Sequence, residues 1–345
     1  MSTLMLNEIL QQPGVLAGID RANEPALAKL KALFAGRKFK GIVAAARGSS
    51  DNACNVFKYY AESLAGLPVA LAAPSVHTLY GGSPDMSDYL VIGVSQSGKA
   101  ADVLEVVRSA RAQGGAVVTI TNDPDSPLAS ECDVHLFCAA GKELSVAATK
   151  TFTAQLYLLA RIAAELSGSS DLSDALVAAP QAVQGAIDAR AAAQAAALAY
   201  ADADCCYVLA RGYCYGIAQE TALKIMETTY VRAKAFASSD FHHGPFAVVD
   251  AGTKAILIAP SDASLAGQLE MFEKLRAAGA QVTVFTDVPE KFKSAQATVQ
   301  LPKVSALAMP FAATAAVQLF AESLSLARGL SPDTPRGLKK VTVTR

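Results

Sequence analysis

From Lys40 onward the chain alternates two hydrophobic patterns. Short apolar runs, Ile42 to Ala46 and Tyr89 to Val94, have the length of buried strands. Each runs into a loop of small polar residues, Arg47-Gly48-Ser49-Ser50 and Ser95-Gln96-Ser97-Gly98. After the first loop Phe57, Tyr60 and Leu64 follow a helical pattern; after the second, Val103, Val106, Val107 and Ala110 do the same. The unit is strand, loop, helix. Val117 to Thr121 and Val134 to Phe137 read as further strands, and Phe152 to Leu166 as a long apolar helix.

The second half repeats this order. Leu209-Ala210-Arg211-Gly212 matches Ala45-Ala46-Arg47-Gly48, and Ala255 to Ala259 matches the strand before Ser95. At one constant offset, Arg276-Ala277-Ala278-Gly279 and Val282 to Thr286 match Arg111-Ala112-Gln113-Gly114 and Val117 to Thr121. A register kept over a helix end, a glycine cap and a strand points to duplication of one module. The predicted boundaries are a helical segment over 1–34, a first module over 35–168, a helical connection over 169–200, a second module over 201–330 and a tail over 331–345. Strands alternating with helices predict an α/β protein of two flavodoxin-like modules. Each is a parallel sheet in a three-layer sandwich that receives ligands at the carboxyl ends of its strands.

Composition narrows the partners. With 52% hydrophobic residues over 345 positions the chain can bury two cores, and 30 basic against 31 acidic residues leave no global field for nucleic acid or an anionic membrane. Any anion is captured locally. No apolar run approaches a membrane span, and Met1 to Pro13 lacks the basic start and apolar core of a signal peptide, so a cytoplasmic location is expected. The six cysteines (Cys54, Cys132, Cys138, Cys205, Cys206, Cys214) form no C-x-x-C pair and are expected to be buried thiols.

Both Ser-rich loops sit where strand passes into helix. There, free backbone N–H groups and the positive end of the helix dipole favour an anion. The hydroxyls of Ser95 and Ser97 and the Gln96 amide add neutral donors, and Ser49 and Ser50 offer a second polar loop able to converge on the same phosphate. Ser and Gly are also ordinary capping residues. Lys224 and Glu227 are three apart and share a helix face, which taken alone describes an exposed ion pair. Asp240, His242 and His243 lack the spacing of a metal site.

Longer matches make the loops specific. Val146-Ala147-Ala148-Thr149-Lys150-Thr151-Phe152-Thr153, Ala222-Leu223-Lys224-Ile225-Met226-Glu227, His242-His243-Gly244-Pro245 and the tail from Asp333 to Val343 occur in order, after Glu8-Ile9-Leu10-Gln11-Gln12-Pro13. Together with the loops, these segments resemble the sugar isomerase (SIS) family, in particular the isomerase half of glucosamine-6-phosphate synthase and the SIS-type deaminases. The similarity runs over nearly the whole chain. It implies that Glu227 moves a proton between C1 and C2, with Lys224 orienting it, and that His243 assists ring opening. It further implies that Lys340 traps the open-chain ketose, and that Ser49, Ser50, Ser95, Gln96, Ser97, Val146 and Ala148 line the phosphosugar. The synthase takes its ring-opening histidine from a neighbouring subunit, so a homodimer is implied.

Two departures stand out: Ala100 replaces a threonine common in the family's phosphate loop, and Ala148 replaces a serine that meets the sugar. The chain begins Met1-Ser2 and reaches the isomerase-like segment at once, so no glutamine-derived ammonia is expected. The implied reaction is that of a glucosamine-6-phosphate deaminase giving fructose 6-phosphate and ammonia, with no metal or organic cofactor. The alternatives are a deglycase or isomerase of another aminated sugar phosphate, or a non-catalytic sugar-phosphate-binding regulator.

Overall fold

A computed structural model of the chain describes residues 2–338 and residue 340. Two helices come first, α1 (Leu4–Ala22) and α2 (Glu24–Gly36). Next are β1 (Gly41–Ala45), α3 (Ser49–Tyr60), β2 (Val69–Leu71), α4 (Ser75–Thr78), β3 (Tyr89–Val94) and α5 (Ala101–Ala112). The first sheet is completed by β4 (Ala116–Thr121), α6 (Pro127–Ser130) and β5 (Val134–Phe137), before the long helices α7 (Lys150–Ser167), α8 (Ser170–Asp188) and α9 (Arg190–Leu198). The second half holds β6 (Cys205–Ala210), α10 (Tyr215–Thr229), β7 (Arg232–Ala237), α11 (Ser238–Phe241), β8 (Lys254–Ile258) and α12 (Leu265–Ala277). It ends with β9 (Gln281–Thr286), β10 (Ala297–Gln300) and α13 (Met309–Ala327).

Each half builds one five-stranded, all-parallel sheet, ordered β2-β1-β3-β4-β5 and, in the same sense, β7-β6-β8-β9-β10. The identical orders carry the duplication from sequence to topology. In the first, β3 and β4 are almost wholly buried because helices cover both faces, and their residues form continuous apolar runs. Helix α5 turns Val103, Val106, Val107 and Ala110 onto Val91 and Val117. It stops where Gly114 takes a φ of 78° that other residues rarely adopt. In the second core, Met271, Phe272 and Leu275 of α12 pack on Leu257, Val282 and Val284.

The chain divides into two compact bodies. One gathers Gly14–Glu143, Lys150–Val177 and Lys340; the other gathers the start of the chain to Pro13, Leu144–Thr149 and Ala178–Leu338. Within the second body the segment Leu144–Thr149 is tied down by α1 and α13. The Glu8 carboxylate accepts from the N–H groups of Leu144 and Ser145, and Gln318 Nε2 donates to the Thr149 carbonyl at 3.3 Å. Gln318 is itself held by Gln12 at 2.7 Å.

Three edge strands escape the sequence pattern: β2 has three residues, β7 alternates exposed and buried positions only over Arg232–Lys234, and β10 has four residues. The cysteines are all free, but Cys205 is exposed and Cys132 only half-buried, contrary to the expectation of uniformly buried thiols; Cys205 is the clearer case. It opens β6, where the pleat turns Cys206 inward and leaves its neighbour facing out. Among the described residues no helix is long and apolar enough to cross a membrane.

Candidate active site

In the first body the sheet order reverses between β1 and β3, and the two Ser-rich loops leave the carboxyl ends of these strands. The β3 loop is built around Gly98. Its φ is 62°, and a Cβ there would stand 2.0 Å from Ser126 Oγ, so no other residue fits without moving the chain. The Gly98 N–H donates to Ser95 Oγ at 3.2 Å, and the Lys99 N–H donates to Ser97 Oγ at 3.4 Å. Both hydroxyls therefore accept from the loop while their own hydrogens can be aimed at an anion. Ala100, the N-cap of α5, supplies no side-chain cap, and in the first turn the Val103 N–H donates to Asp102 Oδ1 at 3.0 Å, so any ligand there is limited to the N–H groups of Ala101 and Asp102.

At the β1 loop, Ser50 donates to Gln155 Oε1 at 2.9 Å in a buried contact, while the buried Gln155 Nε2 has no partner. Turning that amide over would let Nε2 donate to Ser50 Oγ and release the hydroxyl hydrogen toward an anion. Ser49 lies beside it at the start of α3, half-buried. Sequence reasoning missed Arg47 as a site residue. Its Nε bonds Asp102 Oδ2 at 2.6 Å, joining the β1 loop to the first turn of α5 and bringing a half-exposed cation to a site otherwise made of neutral donors.

The duplicated loop of the second body cannot do the same. At the repeat offset Asn122 becomes Asp287, whose buried carboxylate accepts from both the N–H and the hydroxyl of Ser261. Asp262 in turn accepts from the Ser264 hydroxyl at 2.6 Å. A built-in carboxylate occupies the donors that an anion would need, so the two modules have diverged.

Helix α10 carries the titratable cluster of the second body. Lys224 is fully buried, within 3.3 Å of the equally buried Glu220 and in direct contact with Glu227, whose side chain keeps 22% of its surface. The spacing of four and three residues puts all three on one face. The exposed-pair reading of Lys224 and Glu227 is thus overturned: packing of α10 on α13 and β7 encloses the ammonium. Burial alone would lower the pKa of Lys224, but attraction by Glu220 and Glu227 and hydrogen bonds to both carboxylates raise it, so it is a fixed cation. Glu227 is consequently oriented by an ammonium, with one side open. The helix ends at Tyr230, which takes a left-handed φ of 62°.

Val146 and Ala148 are half-buried in the anchored segment described above. In the first body Lys340 Nζ lies 2.6 Å from the Glu143 carboxylate, so it is no loose basic tail. Glu143 had no mark in the sequence, since it stands 197 positions from Lys340. His243 is exposed in the turn after α11, its N–H donating to the Asp240 carbonyl at 2.9 Å, and among the described residues it makes no ion pair with Glu227. His242 sits beside Lys274; burial and that cation both lower its pKa. Among the described residues no group of three or more His, Cys, Asp or Glu side chains is placed to hold a metal ion.

Repeated sheets of this order make the chain a duplicated α/β protein of flavodoxin-like modules. The SIS-domain profile matches residues 37–164 and 199–327, and the chain belongs to the SIS-domain family. It is 37% identical over a 362-position alignment to the isomerizing glutamine–fructose-6-phosphate aminotransferase of Aeropyrum pernix, covering 99% of this chain and 57% of that protein. The chain thus spans little more than half the length of that relative. Among solved structures, the C-terminal domain of glucosamine-fructose-6-phosphate aminotransferase from Francisella tularensis superposes with a TM-score of 0.86 at 28% identity, over 97% of this chain and 99% of that one. Glucosamine-6-phosphate deaminase from Thermotoga maritima shares the fold, with a TM-score of 0.78 at 22% identity over 99% and 100% of the two chains.

Proposed function

We propose that this chain is a phosphosugar isomerase of the deaminating kind, converting glucosamine 6-phosphate and water to fructose 6-phosphate and ammonia. The observation that carries the reading is the buried Glu220–Lys224–Glu227 cluster, which leaves one side of an oriented carboxylate accessible. Isomerisation of an amino-aldose needs such a base. Glu227 takes the C2 proton of the open-chain sugar to give an enolamine and returns a proton at C1, forming a ketimine. Water adds at C2 and ammonia leaves. His243 is assigned ring opening, donated by a neighbouring subunit of a homodimer, a role that its exposure permits. Ser49, Ser50, Ser95, Gln96 and Ser97 hold the phosphate, Val146 and Ala148 contact the sugar, and Lys340 engages the open-chain carbonyl.

The relatives' names support an amino-sugar phosphate as substrate and leave the direction to experiment. The test is to incubate the purified chain with a panel of aminated sugar phosphates and to measure ammonia and ketose phosphate together. Stoichiometric ammonia and fructose 6-phosphate from glucosamine 6-phosphate is the expected result. Turnover only of another aminated sugar phosphate would reassign the substrate, and silence toward all of them, with binding retained, would leave a regulator.

A further inference from the structure

Glu143 is fully buried, at the end of the loop that follows β5. It accepts the Thr151 N–H at 3.1 Å and the Thr151 hydroxyl at 2.7 Å, both from the first turn of α7. Two bonds to one residue, one of them from backbone, fix the plane of this carboxylate. The positive end of α7 favours its charge. The oxygen that accepts the hydroxyl also meets Lys340 Nζ, which keeps 25% of its side-chain surface. All of these groups belong to the first body.

A helix cap needs no lysine, but a buried carboxylate needs a counter-ion, and here that ion is an amine that keeps part of its surface. We propose that Glu143 is the positioning residue for Lys340: it holds the amine at one point and takes the proton that the amine must lose before it attacks a carbonyl. The inference rests on the role given to Lys340 above. In the step, the Lys340 ammonium passes a proton to the Glu143 carboxylate, and the freed amine adds to C2 of open-chain fructose 6-phosphate. The carbinolamine so formed loses water to give the protonated imine. Glu143 returns its proton to the departing oxygen, so charge and atoms balance and no co-reactant is needed.

The readout is covalent capture rather than turnover. The full chain is mixed with fructose 6-phosphate and borohydride, which reduces an imine to a stable amine, and the adduct on Lys340 is followed by peptide mass spectrometry. Affinity for fructose 6-phosphate is measured by calorimetry alongside. Glu143→Gln keeps an acceptor for Thr151 but loses the charge and the proton sink. It should slow capture by roughly 100-fold, the scale of a lost proton-transfer group or a misplacement of about 1 Å, with affinity little changed. A residue that only capped α7 would alter melting temperature and leave capture alone. Should Glu143→Gln fail to fold, Glu143→Asp, which keeps the charge and draws it back by one methylene, must show the same slowing. Capture by Glu143→Gln or Glu143→Asp at the wild-type rate overturns the inference while leaving deamination by the wild type intact. A wild type that releases ammonia yet forms no Lys340 adduct overturns it as well. If the wild type neither forms the adduct nor releases ammonia, the functional reading falls with it.

Discussion

Replacing Lys224 by Met tests whether the α10 cluster is held by its buried cation. Met has nearly the length of Lys and fills the same space, so the change removes charge and hydrogen bonding more than volume. At 3.3 Å and an effective dielectric constant of about 20, the attraction between Lys224 and Glu220 alone is worth roughly 5 kcal/mol, and Glu227 adds a second contact. Desolvation of the ammonium cancels part of this. Breaking a buried pair by removing one partner costs about 3–5 kcal/mol, and that is the expected destabilisation at neutral pH. The assay is urea unfolding of both proteins, followed by circular dichroism, as a function of pH. Because the folded-state pKa of Lys224 is raised above its ordinary 10.5, its contribution is complete below that value and disappears as pH climbs through the folded value. The difference between wild type and Lys224→Met should therefore be large at pH 7 and shrink above about pH 10.5. A loss below about 1 kcal/mol at pH 7, the range of an exposed pair, would refute the reasoning.

Glu227→Gln should lower the rate by about 10²–10⁴-fold with sugar-phosphate affinity preserved, as measured by steady-state kinetics and calorimetry, since the amide keeps the shape but cannot accept the C2 proton. Ser97→Ala and Ser95→Ala should each weaken sugar-phosphate binding by roughly 1.5–3 kcal/mol in calorimetry. Unchanged affinity in both would move the phosphate elsewhere. Gly98→Ala should abolish phosphate binding more completely than either serine change, because its Cβ would fall 2.0 Å from Ser126 Oγ and force the loop open; wild-type affinity would show that the loop is not the site.

Periodicity alone carried the architecture a long way. Strand runs bounded by Ser-Gly loops, and helices ending at Gly114 and Gly279 at one repeat offset, specify two copies of a parallel α/β module because side-chain period and glycine conformation are local properties. The Ser-rich loops stood out as candidates for the same reason, and the longer motifs singled out Glu227 and Lys340 as candidates too. The edge strands β2, β7 and β10 were not: their half-exposed faces blur the apolar pattern, and the backbone partners that pair with them lie elsewhere in the chain. The burial of Lys224, which turns an ordinary helix pair into a fixed charge cluster, depends on α13 packing across α10 and is invisible in a spacing of three. The same holds for Glu143 beneath Lys340, Gln155 behind Ser50, Arg47 on Asp102, and Asp287 closing the second loop. A sequence records which groups can ionise or donate. Only the folded chain decides which are withdrawn from water and set against one another, because desolvation and pairing depend on neighbours that the chain brings together from far apart.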